Sequence, residues 1–191
     1  RQSNIKRMLA YSPGAHADYN LVAVTAQSEV GIAAVMFYLA SYALMTIGVF
    51  AVVTLVASSK ERFVEIDDFA GLVQRQPMLA VALTIFLFSL IGIPLTGGFF
   101  AKFYVFKAAL DSNLTWLTIL GLLNSAAAAF YYLRVLVVMY MKPAAEGAGP
   151  LDSAGIGMKA AIAASAVGTL YLGVYPSAVL DFAGKAAQLV K

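Results

Sequence analysis

Apolar residues fill five long stretches of the chain, and short polar segments separate them. The stretches lie at about 8–27, 31–57, 77–111, 115–140 and 157–180. A membrane-spanning helix needs roughly 20 mostly apolar residues, and each stretch is near or above that length. No stretch alternates polar and apolar positions as a half-buried strand does. The pattern therefore predicts an all-α, polytopic membrane protein with about five transmembrane spans.

The polar segments between the stretches are of two kinds. QSE at 27–29 and DSN at 111–113 are tight turns, whereas 58–77 and 142–155 are longer loops with both signs of charge. We expect residues 1–191 to form a single transmembrane helical domain. The opening residues contain neither an initiator methionine nor a signal-peptide pattern, so we expect the sequence to be a fragment of a longer chain.

The third stretch is too long for one straight helix. Its length of roughly 35 residues would extend about 50 Å, against a hydrocarbon core of roughly 30 Å. Pro94 lacks an amide hydrogen and disfavours a helical conformation before it, while Gly92, Gly97 and Gly98 have no side chains to support a helix. Each half of the broken stretch is too short to cross the membrane alone. We predict one discontinuous span broken near 92–98, with two separate spans as the alternative.

Lys102 follows this break by one helical turn. Backbone groups freed at membrane depth are tolerated only inside protein or beside water, so we expect a hydrated pocket here. A charge at that depth costs roughly 3 kcal/mol, and broken helices recur in ion-coupled transporters. Lys102 is therefore the candidate proton-transfer residue. The alternative is a static lysine that snorkels to the interface or pairs with a neighbour, because the span ends nearby at Asp111.

Three other polar residues inside the stretches are candidates for a proton axis. His16 suits a relay because imidazole titrates near neutrality, and an ordinary hydrogen-bonded histidine is the competing interpretation. Tyr38 and Tyr42 share one helix face, where they either line a water chain or pack between helices. Arg134 lies near a helix end, where we expect a structural role, and we expect Lys107 to reach the membrane interface.

Composition limits the chemistry of the chain. It is 61% hydrophobic and 12% charged, far from the balance of a soluble domain. The absence of cysteine excludes disulfides and iron–sulfur ligation, and a single histidine argues against a zinc or haem site. The acidic residues Glu65, Asp67 and Asp68 lack a further ligand at metal spacing, so we interpret them as a solvated loop face or a subunit contact. We predict no metal and no cofactor in this chain.

The basic residues predict an orientation rather than a nucleic-acid partner. The net charge of +3 is spread over the loops, with no basic patch. The side that holds residue 1 carries eight lysines and arginines against two on the other side. The positive-inside rule therefore places residue 1 and the 58–77 loop in the cytoplasm, whether the third stretch is one span or two.

Five segments resemble a known family in their order and spacing. They are NIKRMLAYS, FYLASYALMTIGVFAVV, DDFAGL, SLIGIPLTGGFFAKFYVF and NSAAAAFYYLRVLVVMYM. They are similar to the C-terminal part of the N subunit family of bacterial NADH-quinone oxidoreductase, or respiratory complex I. This is an antiporter-like, proton-translocating family related to a mitochondrial complex I subunit and to cation/proton antiporter subunits. The similarity covers about residues 1–141, and the last span matches mainly in position and hydropathy.

The resemblance implies a 14-helix subunit with two inverted five-helix repeats, of which this chain supplies most of the second repeat and the final helix. It implies that Lys102 ends a hydrophilic axis and exchanges a proton with the periplasm, with His16, Tyr38 and Tyr42 along the axis. It further implies a bacterial inner membrane location, with lipids and neighbouring antiporter-like subunits as partners. The chain would be a subunit of a translocase without its own catalytic site, with NADH, FMN, iron–sulfur clusters and quinone in other subunits.

The chain departs from the family pattern around His16. The family pattern is close to AYSSIAHxGY, whereas this chain has AYSPGAHADYN. We expect Pro13 and Gly14 to kink the helix, and Asp18 to pair with His16 or with a distant lysine. We expect the charge partner of Lys102 to lie outside this sequence.

Two other functions fit the same residues. One is a sodium/proton antiporter subunit or a membrane subunit of an energy-conserving hydrogenase. The other is a membrane scaffold without transport activity, although a scaffold gains nothing from an unwound segment at mid-membrane.

Overall fold

The computed structural model describes residues 3–57, 64–144 and 154–188. This part of the chain forms eight α-helices and one 3₁₀ turn at Ile66–Phe69. The helices are α1 (Ile5–Thr25), α2 (Glu29–Ala57), α3 (Leu72–Arg75), α4 (Pro77–Ile91), α5 (Gly97–Asp111), α6 (Thr115–Met141), α7 (Ile156–Val174) and α8 (Pro176–Gln188). Within these ranges there is no strand beyond an isolated bridge between Asn4 and Glu65. The all-α, multi-pass membrane prediction is confirmed. Residue 1, residues 58–63 and the 145–153 part of the second loop lie outside the described residues.

Within the described ranges, three helices are long and apolar enough to cross a membrane, namely α2, α6 and α7, and α4 is a shorter apolar helix. The structure differs from the sequence prediction in the fifth stretch, because α7 ends at Val174 rather than near 180. Pro176 lacks an amide hydrogen and disfavours helix at Tyr175, whose φ of −125° and ψ of 63° are not helical. A separate helix, α8, therefore begins at Pro176.

The helix α2 lies at the centre of the bundle and contacts α4 and α5 in succession. Its C-terminal half shares a buried cluster with α4, which includes Val49, Val52, Val53, Leu83, Phe86 and Leu87. Its N-terminal half shares a second cluster with α5, which includes Ala34, Phe37, Tyr38, Ala101 and Val105. The chain from α4 to α5 thus runs antiparallel to α2 along its whole length. It is one discontinuous element and does not turn back.

The break between α4 and α5 depends on two glycines. Gly92 ends α4 in a left-handed conformation with φ of 92°, which a residue with a side chain adopts at a cost. At Gly98, an added Cβ would overlap the carbonyl oxygen of Ser89. The Gly98 amide donates a hydrogen bond to Ser89 Oγ at 3.0 Å. The first turn of α5 therefore packs directly against the last turns of α4.

The acidic residues of the first loop make local contacts. Asp68 accepts a hydrogen bond from the Glu65 amide at 2.8 Å and so closes the 3₁₀ turn. Lys142 Nζ lies 2.7 Å from Asp67 Oδ1, and both side chains are more than half exposed. The hydrogen bond from Lys142, with the charges of Lys142 and Arg134, holds the pKa of Asp67 below its ordinary value. These contacts attach the loop to the end of α6.

Candidate functional site

Lys102 is buried at the break between α4 and α5, with 7% of its surface exposed. Its Nζ donates hydrogen bonds to the carbonyl oxygens of Leu90 and Ile91, both at 2.9 Å, and to Ser125 Oγ at 2.8 Å. The two carbonyls belong to the last turn of α4, where no following helical amide occupies them. The negative end of a helix dipole also favours a cation. The break thus supplies the groups that hold the ammonium.

The remaining contact of the ammonium is aromatic. Lys102 Nζ lies 5.4 Å from the centre of the Tyr19 ring, within the range of a cation–π interaction. Among the described residues it forms no ion pair with a carboxylate. The side chain turns back toward α4, so Lys102 does not snorkel to an interface. Dipoles rather than a counterion balance its charge in this part of the chain.

A groove of about 490 Å³ opens from Lys102 between α5 and α6. Lys102 and Ser125 line its inner end, and Lys107 and Asp111 line its outer end. Lys107 Nζ and Asp111 Oδ2 form an ion pair at 2.5 Å, and about half of each side chain is exposed. Nine residues of helix separate Lys102 from Asp111, a distance of about 13 Å. The groove therefore connects the buried ammonium to the turn that follows α5.

His16 lies at the centre of a buried cluster of tyrosines. Its Nδ1 lies 2.5 Å from the hydroxyl of Tyr38, and its ring centre lies 4.5 Å from that of Tyr42. Tyr19 contacts the same imidazole edge-on, with 5.8 Å between ring centres. The structure thus brings together the three residues that the sequence proposed for an axis. Tyr19 joins them to Lys102.

Sequence reasoning did not find Ser12, Ser125 or Tyr132. The hydroxyls of Ser12 and Tyr132 lie 2.5 Å apart and extend the cluster from α1 to α6. Ser12 precedes His16 by four residues, so helical spacing places both on one face. Ser125 is one of two adjacent polar residues in an apolar helix. These two sequence features were the available signals for Ser12 and Ser125. The contact between Ser125 and Lys102, however, joins residues 23 positions apart and depends on the tertiary fold.

Asp18 does not pair with His16, contrary to the expectation from sequence. Two helical residues correspond to a rotation of about 200°, so His16 and Asp18 point to opposite sides of α1. His16 is buried and Asp18 is exposed. Asp18 also forms no ion pair with any lysine of the described residues. The helix α1 continues through Pro13.

The described residues contain no group of three histidine, cysteine or acidic side chains that could hold a metal ion. The side chains that the site does bring together are a lysine, an imidazole and hydroxyl groups, each of which can donate or accept a proton.

Comparisons with known proteins place this arrangement in a family. Residues 1–128 match the family model described as NADH:quinone oxidoreductase/Mrp antiporter, transmembrane. The chain is 57% identical over 190 residues to NADH-quinone oxidoreductase subunit N 1 of Solibacter usitatus, covering 100% of this chain and 39% of that protein. It is 46% identical over 192 residues to subunit N of Trichlorobacter lovleyi, again covering 100% of this chain and 39% of the relative. The chain thus spans about two fifths of the length of these relatives.

Solved structures show the same fold. A chain of respiratory complex I from Thermus thermophilus with bound aureothin superposes with a TM-score of 0.79 at 31% identity, covering 95% of this chain and 40% of that one. A chain of the Mrp complex from Dietzia superposes with a TM-score of 0.85 at 21% identity, covering 97% of this chain and 42% of that one. The second likeness concerns the fold alone.

Proposed function

Since the chain belongs to the NADH:quinone oxidoreductase/Mrp antiporter transmembrane family and matches the C-terminal part of subunit N proteins, we propose that it carries out proton transfer in the membrane arm of an NADH-quinone oxidoreductase. The observation that carries the proposal is the buried ammonium of Lys102. It is held by a broken helix at the inner end of a groove that opens between α5 and α6.

Lys102 is the residue that takes up and releases the proton. In its charged form, Nζ has three hydrogen atoms and three acceptors, namely Leu90 O, Ile91 O and Ser125 Oγ. Loss of one proton leaves two N–H groups for the two carbonyls and a lone pair on Nζ, to which the Ser125 hydroxyl donates after rotating. The neutral amine therefore keeps all three partners. Water entering the groove between α5 and α6 carries the released proton outward.

The cluster around His16 is the inner part of the path. The imidazole, Tyr38 and Tyr19 form a continuous set of contacts that reaches Lys102. Four buried polar atoms have no hydrogen-bond partner among the described residues, and they are Tyr19 OH, Asn20 Oδ1, Ser41 Oγ and Thr169 Oγ1. Buried polar atoms of this kind ordinarily bind water. They support an interior in which water joins the side chains into a proton path.

The rest of the complex supplies the driving force in this proposal. Quinone reduction takes place in other subunits, which also hold NADH, FMN and the iron–sulfur clusters, and it changes the electrostatic field along the path. The first loop faces the cytoplasm, so the turn after α5 faces the periplasm. We assign a proton rather than sodium as the transported ion, because the buried ammonium of Lys102 repels a metal cation.

The test compares Lys102→Arg and Lys102→Met in the full-length subunit within the assembled complex. Arginine keeps the charge and the hydrogen bonds to α4 but does not release a proton at physiological pH. We expect both variants to lose proton pumping in membrane vesicles, while Lys102→Arg retains assembly. Full pumping by Lys102→Arg would show that the lysine only holds the helix end. Pumping that requires sodium would favour the antiporter alternative.

A further inference from the structure

Asp18 is an exposed carboxylate on α1 that the proposed proton path does not use. It forms neither a hydrogen bond nor an ion pair with any described residue. It lies seven residues, or about 10 Å, from the end of α1 at Thr25. Because α1 packs along α2, which is long and apolar enough to cross a membrane, Asp18 lies at membrane depth.

Asp18 lines a groove of about 380 Å³ between α1 and α6. Tyr19, Thr25 and Asn124 provide its other polar side chains, and Leu21, Leu117 and Leu120 provide apolar surface. Asn124 lies nine residues from the start of α6 at Thr115, or about 13 Å, which is close to the depth of Asp18. The groove therefore combines a leucine-rich wall with a carboxylate and an amide at nearly the same depth.

Lipid is an unsuitable occupant of this groove. An acyl chain has no donor for a carboxylate, and acidic residues at membrane depth ordinarily face protein or water and pair with a cation. A transmembrane helix fits both the apolar and the polar surface of the groove, because its apolar side chains pack on the leucines while one polar side chain reaches Asp18. Charge complementarity requires that this side chain be a lysine or an arginine.

We propose that the groove between α1 and α6 is the docking surface for a transmembrane helix that carries a lysine or arginine opposite Asp18. We assign this helix to the remaining part of a full-length subunit, because the relatives extend well beyond the two fifths that this chain covers. That part is covalently attached in such a subunit, which gives it a high effective concentration at this surface. The groove borders the proposed proton path at Tyr19, but the pairing of Asp18 with a basic side chain is argued without that path.

Photo-crosslinking identifies the occupant. p-Benzoylphenylalanine replaces Leu21, which lines the groove and is 63% exposed, in the full-length subunit within the assembled complex. We expect the crosslinked peptide to be an apolar segment of the same subunit with a lysine or arginine near the crosslink. A helix without a basic residue, a helix of another subunit, or lipid adducts alone would overturn the proposal.

Substitution of Asp18 tests the charge pair. We expect Asp18→Leu to lower the yield of assembled complex several-fold, because it leaves the partner cation buried and unpaired. When the partner lysine or arginine is also replaced by leucine, we expect the yield to be restored. Asp181→Leu is the matched control, since Asp181 is an exposed carboxylate on α8, away from the groove. If Asp18→Leu assembles as well as the wild type or better, Asp18 faces lipid or water and the proposal is wrong.

Discussion

Gly98 offers a direct test of the close packing at the helix break. Replacement by alanine places a methyl group against the carbonyl oxygen of Ser89, a backbone atom that cannot rotate away. Overpacking costs about 1–3 kcal/mol, and loss of the hydrogen bond from the Gly98 amide to Ser89 Oγ costs about 0.5–1.5 kcal/mol. The helix propensity of alanine returns up to about 1 kcal/mol. We expect a net loss of about 1–3 kcal/mol in the free energy of unfolding.

Gly14 provides the matched control, because it is also a helical glycine but an added Cβ meets nothing within 4 Å. Gly14→Ala is expected to stabilise the subunit by up to about 1 kcal/mol. The two variants should therefore differ by about 1–4 kcal/mol when thermal unfolding of the solubilised full-length subunit is compared.

The same displacement has a functional consequence. Moving α5 away from α4 separates Lys102 from the carbonyls of Leu90 and Ile91, so Gly98→Ala should also pump fewer protons per NADH oxidised. If Gly98→Ala and Gly14→Ala agree in stability and in pumping, the two halves of the broken helix are not in the tight contact described here.

Two further predictions concern single contacts. Ser125→Ala removes one acceptor of the Lys102 ammonium, and a hydrogen bond to a charged group contributes about 1.5–3 kcal/mol. We expect Ser125→Ala to pump fewer protons per NADH oxidised, and Ser125→Thr, which keeps the hydroxyl, to pump normally. Equal pumping by the wild type and both variants would contradict this role. Asp67→Asn should cost about 0.2–1 kcal/mol at pH 7 and low salt, because the pair with Lys142 is exposed. Since the pKa of Asp67 is lowered in the folded protein, this stabilisation is present above the unfolded pKa near 4 and is lost as the pH falls through the folded value. The free energy of unfolding of the wild type and of Asp67→Asn, measured by denaturation at pH 7 and at pH 2.5, tests this pH dependence. If the two proteins still differ at pH 2.5, the difference does not come from the ionised Asp67 carboxylate.

Local rules were enough to locate the helix break. The steric effects of proline and glycine act over a few residues, so Gly92, Pro94 and the two later glycines identified the interruption without knowledge of the tertiary fold. The same rule applied to Pro176 separates α7 from α8, but hydropathy continues through that residue and gave a span that was too long.

Contacts between distant parts of the chain were beyond the reach of these rules. The sequence identified Lys102 but not its acceptors, because two of them are backbone carbonyls and Ser125 lies on another helix. The opposite orientations of His16 and Asp18 could have been read from helical periodicity. That His16 meets the hydroxyl of Tyr38 depends on how α1 packs against α2.

The absence of a carboxylate partner for Lys102 in the described residues affects how the site responds to distant events. Where a lysine is paired with an acid, a proton can pass from one to the other without changing the net charge of the pair. At Lys102, each arrival or departure of a proton changes the local charge by a full unit. With an effective dielectric constant of about 20, that unit acts on another charge about 20 Å away with roughly 0.8 kcal/mol. This is about a fourfold change in a proton equilibrium, so under the proposed function each protonation of Lys102 would shift the proton equilibrium of a titratable group at that distance, and a charge change there would shift that of Lys102.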